Sequence, residues 1–217
     1  VFYLALNGCG VGVGLLKPFV SNLSKIQKRT LGTKTYVIED NIEGWADALG
    51  VLMSSYFVDK QPFPEYAGYE VKFDGTKLRE KGAFISGGFK APGYEPLKKA
   101  LENIDALLSN WIETEGGEIR PILGGDIICH ASNAVLSGGV RRAALDFIVD
   151  PNDEEMIMSK TGDWYLKNKQ RERTNNSVLL IRNLTTKEQF EKLVNLNDGM
   201  NDIGFAFANS WFDMYNP

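Results

Sequence analysis

Glycine occupies every second position from residue 8 to residue 14, directly after the apolar run at residues 1–6. This strict alternation predicts a β-strand against which another backbone or a flat ligand presses closely. A tightly packed strand with no ligand is the alternative that the pattern leaves open. The glycines do not match the dinucleotide-binding fingerprint G-x-G-x-x-G, because the position required for the third glycine falls on Val13, Leu15 or Lys17.

A second glycine-containing segment, residues 137–142, lies between a helix-like apolar run and a strand-like run. Its residues are Ser137, Gly138, Gly139, Val140, Arg141 and Arg142. Glycine lets a backbone approach a ligand closely, and arginine supplies a planar, permanently charged group suited to phosphates and flat rings. The segment therefore predicts a loop that holds a nucleotide, with a surface turn carrying solvated arginines as the alternative.

Three helices are predicted ahead of this loop from apolar residues at helical spacing. Asp40 and Glu43 have capping-box spacing and precede the first helix, whose apolar face we assign to the core. The second helix runs from about residue 95 to residue 114, after a turn-rich stretch long enough to indicate a functional loop or an insertion. Asp126 is the predicted cap of the third helix, which carries the lone histidine, His130; no function is assigned to that histidine.

Strands alternate with helices in the second half of the chain. Buried strands are predicted at residues 145–149, 178–181 and 203–208, and Thr185 with Glu188 forms a capping-box pair ahead of another helix. The polar residues Asn175, Asn176 and Ser177 directly precede one of these strands. Polar residues at the mouth of a strand are where α/β proteins usually place their chemistry; a plain loop with asparagine turns is the alternative. The alternation predicts an α/β fold.

Composition narrows the functional classes. The net charge is −4, so we expect no broad basic surface and no nucleic-acid partner. No apolar stretch approaches the roughly 20 residues needed to cross a bilayer, so we expect no membrane partner. Two cysteines and one histidine make a structural zinc site improbable, and no metal is expected. Reduced cysteines and a cytoplasmic location are the corresponding expectations.

Six segments of the chain, taken in order, resemble the adenosylcobalamin-dependent (class II) ribonucleotide reductases, especially the monomeric type that acts on triphosphates. They are residues 7–13 (NGCGVGV), 42–49 (IEGWADAL), 87–97 (GGFKAPGYEPL), 126–130 (DIICH), 136–142 (LSGGVRR) and 175–178 (NNSV). The resemblance covers nearly the whole chain, and the order of the six segments is its strongest feature.

The resemblance implies a fold and an allosteric site. The family folds as a ten-stranded α/β barrel, of which residues 1–217 would supply the first half as a single partial catalytic domain. Residues 35–118 would be an insertion that mimics a dimer interface and builds the effector site. The loop with Arg141 and Arg142 would carry specificity information, so that a deoxynucleotide effector on one side alters the base accepted on the other.

The resemblance also implies the activity, which supports DNA replication through deoxyribonucleotide biosynthesis. Ribonucleotides, expected to be triphosphates, are reduced to 2′-deoxyribonucleotides by thiyl-radical chemistry, with adenosylcobalamin in the assembled enzyme and a thioredoxin-like reductant. Gly10, Gly12 and residues 175–177 would lie on the substrate side. Asn216 would hydrogen-bond a ribose hydroxyl, but the cysteine that forms the radical follows an Asn-Pro motif and is absent from this sequence.

The position of that motif leads to an expectation about the gene. The chain is interpreted as a fragment, or as a split-gene or intein-interrupted half that needs a C-terminal half as its partner. Two other interpretations remain open: a non-catalytic nucleotide-sensing subunit, and an unrelated α/β enzyme with a phosphate-binding loop.

Overall fold

The computed structural model describes residues 1–85, 88–137, 140–141, 143–196 and 203–210, with the backbone alone for residues 136, 137, 140 and 141. Its architecture is mixed α/β, which confirms the predicted class. The strands of the main sheet are all parallel.

The described residues form eight α-helices and two short 3₁₀-helices. The α-helices are α1 (Phe2–Leu6), α2 (Lys17–Val20), α3 (Ile42–Tyr56), α4 (Glu95–Thr114), α5 (Pro121–Ser132), α6 (Glu154–Ile157), α7 (Trp164–Lys167) and α8 (Lys187–Asn195). The 3₁₀-helices are Pro64–Tyr66 and Lys169–Arg173.

The strands form one four-stranded sheet and three two-stranded pairs. They are β1 (Val11–Leu15), β2 (Thr33–Val37), β3 (Glu70–Asp74), β4 (Phe84–Ile85), β5 (Phe89–Lys90), β6 (Leu136–Ser137), β7 (Val140–Arg141), β8 (Leu145–Val149), β9 (Asn175–Ile181) and β10 (Ile203–Ala208). The main sheet has the order β1-β8-β9-β10. A parallel pair, β2-β3, and two antiparallel pairs, β4-β5 and β6-β7, lie outside it.

One face of the main sheet packs against helices. Successive residues of a strand point to opposite faces, and Phe147, Val149, Val178 and Leu180 share the face that joins the main hydrophobic core. Apolar residues of α3, α4 and α5 complete that core. Helix α5 approaches closely because Gly125 has no side chain: a Cβ there would lie 3.2 Å from the ring of Phe147.

The other face carries two groups of residues. Toward the carboxyl ends of the strands, this face carries a small cluster of apolar side chains. The cluster consists of Leu16, Ile148, Leu179, Ile181 and Ala208. The same face also carries Gly12, Gly14, Asp146, Ser177 and Gly204, all exposed or half-buried. We call these five residues the open patch.

Two predicted helix caps are off by one residue. Helix α3 is capped by Asn41, whose side chain accepts a bond from the Gly44 amide at 2.6 Å, and not by Asp40. Helix α8 is capped by Thr186, which accepts from the Gln189 amide at 3.1 Å, and not by Thr185. The carboxylate of Asp40 instead binds Arg79, 39 residues along the chain.

The prediction for the third helix start was wrong by a larger margin. Helix α5 begins at Pro121, so Asp126 lies in its middle and is buried. Proline suits a first helical position because its fixed φ matches the helix and the missing N–H would have no partner there. The predicted bounds of α4, β8 and β10 agree with the structure. The ten-stranded barrel stays a prediction, since the main sheet has four described strands.

Candidate functional site

Gly12 and Gly14 lie on β1, whereas Gly8 and Gly10 precede it, so the predicted strand is confirmed for two of the four alternating glycines. The exposed side of these glycines is empty among the described residues. A Cβ built at Gly10 or Gly12 meets no atom within 4 Å, and one built at Gly14 meets only the Phe19 ring at 4.0 Å. The tightly packed alternative is therefore wrong for the described part of the chain. The absence of side chains leaves space on the open patch for a close-fitting ligand or segment.

A carboxylate and a hydroxyl form the polar centre of the open patch. Ser177 Oγ donates to Asp146, 2.9 Å from Oδ1 and 3.0 Å from Oδ2. Burial raises the pKa of Asp146, while the Ser177 bond and the charge of Lys160 lower it. In the sheet register Gly12 lies beside Asp146, and Gly204 lies beside Ser177. Glycine thus borders the pair on both sides.

Asp146 was not identified by sequence reasoning. It was included in an apolar strand, and the available signal was a single charged residue within the run Leu145–Val149. Because parallel pairing sets Asp146 beside Asn175 and Ile148 beside Ser177, its hydroxyl partner lies on the neighbouring strand, 31 residues away.

The three predicted polar residues before β9 are in fact its first three residues, so the predicted loop is a strand. They do not act as one group. Asn175 is exposed, and Ser177 faces the open patch. Asn176 is buried on the opposite face, where its Nδ2 donates to Ser159 Oγ at 3.0 Å. All three lie at the amino-terminal edge of the sheet, whereas the sites of most α/β proteins lie at the carboxyl edge.

The arginine-containing segment reaches the same edge. Strands β6 and β7 pair antiparallel, with Leu136 opposite Arg141 and Ser137 opposite Val140, and we call this pair of strands the hairpin. The chain that leaves this hairpin joins the sheet directly, because the Val11 amide donates to the Ala144 carbonyl at 2.9 Å. Gly138, Gly139, Arg142 and Asn216 lie outside the described residues.

A cavity of about 430 Å³ lies next to that hairpin. It is lined by residues of the predicted insertion and by residues near the end of α5. The lining residues are Leu6, Asp40, Asn41, Ile42, Glu43, Trp45, Leu78, Arg79, Ile85, Ala91, Pro92, Gly93, Ala134 and Val135. Its volume is in the range of small-molecule sites, which span roughly 300–1,000 Å³. The last two residues directly precede β6, so the cavity and the hairpin are adjacent in sequence and in space.

Buried polar contacts tie α5 to the segment that precedes β9. Arg171 binds Asp126 through two bonds, Nε to Oδ1 at 2.8 Å and Nη2 to Oδ2 at 2.7 Å. Arg173 Nε donates to Asn133 Oδ1 at 2.5 Å. Lys160, 2% exposed, donates to the carbonyl of Thr174. Sequence reasoning identified none of these contacts, because their partners are far apart in the chain.

The cysteines and the histidine take no part in the open patch. Both cysteines are free: Cys9 is exposed, and Cys129 is buried beside Thr174, with Sγ 3.7 Å from Oγ1. Burial raises the pKa of Cys129 to about 12, which fits an unreactive, structural cysteine. His130 is half-buried on α5, and burial lowers its pKa.

Comparison with known proteins identifies relatives. No protein-family model matches the chain. A putative adenosylcobalamin-dependent ribonucleoside-triphosphate reductase of Mycobacterium phage D29 is 32% identical over 191 residues, which is 84% of this chain and 24% of the relative. A probable adenosylcobalamin-dependent ribonucleoside-triphosphate reductase of Dictyostelium discoideum is 34% identical over 123 residues, 56% of this chain and 15% of the relative.

The chain thus spans a quarter or less of the length of these two curated relatives. None of the described helices is long and apolar enough to cross a membrane. The names of both relatives agree with the family and the cofactor that the six sequence segments indicated. Over most of its length the chain is similar to a segment of adenosylcobalamin-dependent ribonucleoside-triphosphate reductases, which confirms the resemblance found in its motifs.

Proposed function

We propose that this chain is the nucleotide-binding part of an enzyme that reduces ribonucleoside triphosphates to 2′-deoxyribonucleotides. The observation that carries the proposal is the meeting of three motifs at one edge of the sheet. The glycine strand β1, the chain leaving the arginine hairpin and the start of β9 are neighbours there, as a shared nucleotide site requires. The similarity to the two named reductases supports the same activity.

The substrate is proposed to lie on the open patch. Gly12 and Gly204 leave the backbone accessible, so a flat base or a sugar can approach the sheet closely. An ionised carboxylate accepts about four hydrogen bonds, and the described partner of Asp146 is one hydroxyl, Ser177. The remaining capacity suits the hydroxyl or amino donors of a ribonucleotide. Asn175, at the exposed edge, and Asn216 are proposed as further contacts to the sugar.

The effector is proposed to occupy the cavity beside the hairpin. Trp45 and the aliphatic lining residues supply a surface for a base. Arg79 lines the same cavity with its guanidinium group paired to the carboxylate of Asp40. Ala134 and Val135 connect this cavity to the hairpin, whose arginines are proposed to contact base or phosphate. Residues 35–118 would then have the function expected of the insertion, since most of the lining comes from them.

The cofactor requires a different part of the enzyme. Adenosylcobalamin is far larger than the drug-sized ligands that fill cavities of roughly 300–1,000 Å³. Neither the effector cavity, of about 430 Å³, nor a second cavity of about 310 Å³ is large enough to hold it. We therefore assign no step of the radical chemistry to these residues. Their proposed work is to bind and orient nucleotides, while the cofactor and the radical cysteine belong to the remainder of the enzyme.

Calorimetric titration of the chain with a ribonucleoside triphosphate and, separately, with a deoxynucleoside triphosphate tests the proposal. We expect both to bind, and we expect Arg141→Ala combined with Arg142→Ala to weaken binding at least 10-fold. Arg120→Gln is the control, because that arginine contacts Glu115 and Glu155 on the surface, away from the hairpin. Unchanged affinity in the double variant would show that the hairpin does not bind nucleotides.

A second measurement tests the activity itself. The chain is combined with a C-terminal half taken from a related reductase that contains the radical cysteine. Reduction of ribonucleotide that depends on added adenosylcobalamin is the expected result. Persistent inactivity of a correctly assembled complex would favour a nucleotide-sensing protein instead.

A further inference from the structure

Helix α5 connects the two proposed nucleotide sites. Beyond its last turn, Ala134 and Val135 line the effector cavity, and the hairpin follows at once. Along its length, the same helix touches the segment that leads into β9, where Ser177 joins the open patch. A shift of α5 relative to the sheet would therefore move residues at both the effector cavity and the open patch.

The contacts between α5 and this segment are regularly spaced. Asp126, Cys129 and Asn133 lie on one side of the helix, at positions i, i+3 and i+7. Each meets a different residue of the segment: Arg171 binds Asp126, Thr174 lies against Cys129, and Arg173 binds Asn133. One helix face thus holds the last residues before Asn175 at three points.

These contacts determine which residues of β9 face the open patch. Asn176 is held on the covered face through Ser159 Oγ, and the carbonyl of Ser159 accepts from Arg171 Nη1 at 2.8 Å. Since side chains alternate along a strand, Ser177 must then point to the opposite face, toward Asp146. A slip by one residue would exchange the faces of all of them.

The two arginine contacts differ in their position along α5 relative to the effector cavity. The Asp126–Arg171 pair is deep, with side chains 9% and 15% exposed, and it lies in the middle of the helix. The Asn133–Arg173 bond is at the C-cap of α5, immediately before the two residues that line the cavity. A ligand that moves the end of α5 acts first on the second contact, while the first remains as an anchor.

We infer that Arg173 and Asn133 are positioning residues through which the effector cavity sets the start of β9 and so the affinity of the open patch for substrate. The inference rests on the proposed function and names the residues that couple its two sites. Because coupling between binding sites is reciprocal, the effector changes substrate affinity by the same factor as substrate changes effector affinity. Typical factors are roughly 5- to 150-fold.

The test measures the affinity of the chain for a ribonucleoside triphosphate with and without a saturating deoxynucleoside triphosphate. We expect the ratio of the two affinities to exceed about 5 in the unmodified chain. In Asn133→Ala the ratio should fall to within 2-fold of unity, while the deoxynucleoside triphosphate alone binds with nearly unchanged affinity, because Asn133 does not line the effector cavity. Asn133→Asp keeps an acceptor for Arg173 and should restore the ratio. Arg120→Gln should leave it unchanged.

The possible results separate the inference from the function on which it rests. An unmodified chain that binds neither nucleotide overturns the proposed function, and the inference with it. Binding of both without coupling, or coupling that survives in Asn133→Ala, overturns the inference alone. Amide hydrogen exchange at residues 175–178 gives an independent readout: effector should slow exchange in the unmodified chain and in Asn133→Asp, and equal exchange with and without effector contradicts the inference.

Discussion

The two faces of the main sheet come from alternate residues of the same strands and differ in almost every property. The covered face carries large apolar side chains that pack on α3, α4 and α5. The open patch carries three glycines and one hydrogen-bonded polar pair, and no described atom lies within 4 Å of the position that a Cβ of Gly12 would take. Because side chains alternate between the two faces, successive residues of strands of five to seven residues either pack in the core or face the proposed ligand site. We therefore expect a substitution on the covered face to lower the free energy of unfolding, and a substitution at the next residue, on the open patch, to lower ligand affinity.

The largest effect is expected on the covered face. Phe147 is 3% exposed, and its ring faces Gly125 of α5. Phe147→Ala should lower the free energy of unfolding by about 3–5 kcal/mol, because it removes buried surface and leaves a cavity. Urea unfolding followed by circular dichroism measures the change. A loss below about 1 kcal/mol would mean that this face is not the core.

The next effect should appear in binding and not in stability. Gly12→Val adds a side chain to the open patch, where no described atom obstructs it, and valine favours strand structure. We expect the free energy of unfolding to change by less than about 0.5 kcal/mol. Affinity for a ribonucleoside triphosphate should fall at least 10-fold, since the side chain occupies the space proposed for the ligand. Unaltered affinity in a calorimetric titration would place the ligand elsewhere.

A smaller effect on stability is expected from the polar pair. Ser177→Ala removes the hydroxyl that donates to the carboxylate of Asp146. Hydrogen bonds to charged groups contribute about 1.5–3 kcal/mol when buried; because this pair is half-exposed, we expect about 1 kcal/mol. Ser21→Ala is the matched control, because Ser21 is exposed and its hydroxyl donates to a neutral carbonyl, that of Pro18, at 3.3 Å. A loss equal to that of Phe147→Ala would contradict the division between the faces.

The smallest effect is a dependence on pH. Burial raises the pKa of Asp146 above its ordinary value of 3.8, so its neutral form is favoured in the folded state. The stabilisation is complete below pH 3.8 and is lost as the pH rises through the raised pKa. Unfolding of the unmodified chain and of Asp146→Asn, measured at several pH values, should show the loss in the former only. Parallel curves would indicate that the carboxyl is fully solvated.

Helices and strands with a strong periodic pattern could be predicted from the sequence. The bounds of α4 follow from its apolar face, and those of β8 and β10 from short apolar runs. The caps of α3 and α8 could not be predicted exactly, because two adjacent residues could serve in each case. Thr185 loses that role since its hydroxyl donates to the Ile181 carbonyl at 2.9 Å.

The candidate site was predicted in part. The glycine alternation indicated a strand that a ligand or another backbone approaches closely, and the polar residues 175–177 indicated a site near β9. The role of Asp146 and the buried Asp126–Arg171 pair could not be predicted, because each needs a partner 31 or 45 residues away. A pattern among neighbouring residues carries no information about contacts between residues so far apart in the sequence.

The sequence by itself determined the α/β class, the alternation that gives each strand two different faces, and the similarity to a reductase family, because all three are local patterns of side chains in order. Only the tertiary structure decided that β1, β8 and β9 are neighbours, which sets Gly12 beside Asp146 and Ile148 beside Ser177. The parallel register of these three strands is the physical reason, because it brings motifs that are far apart in the chain together in one open patch.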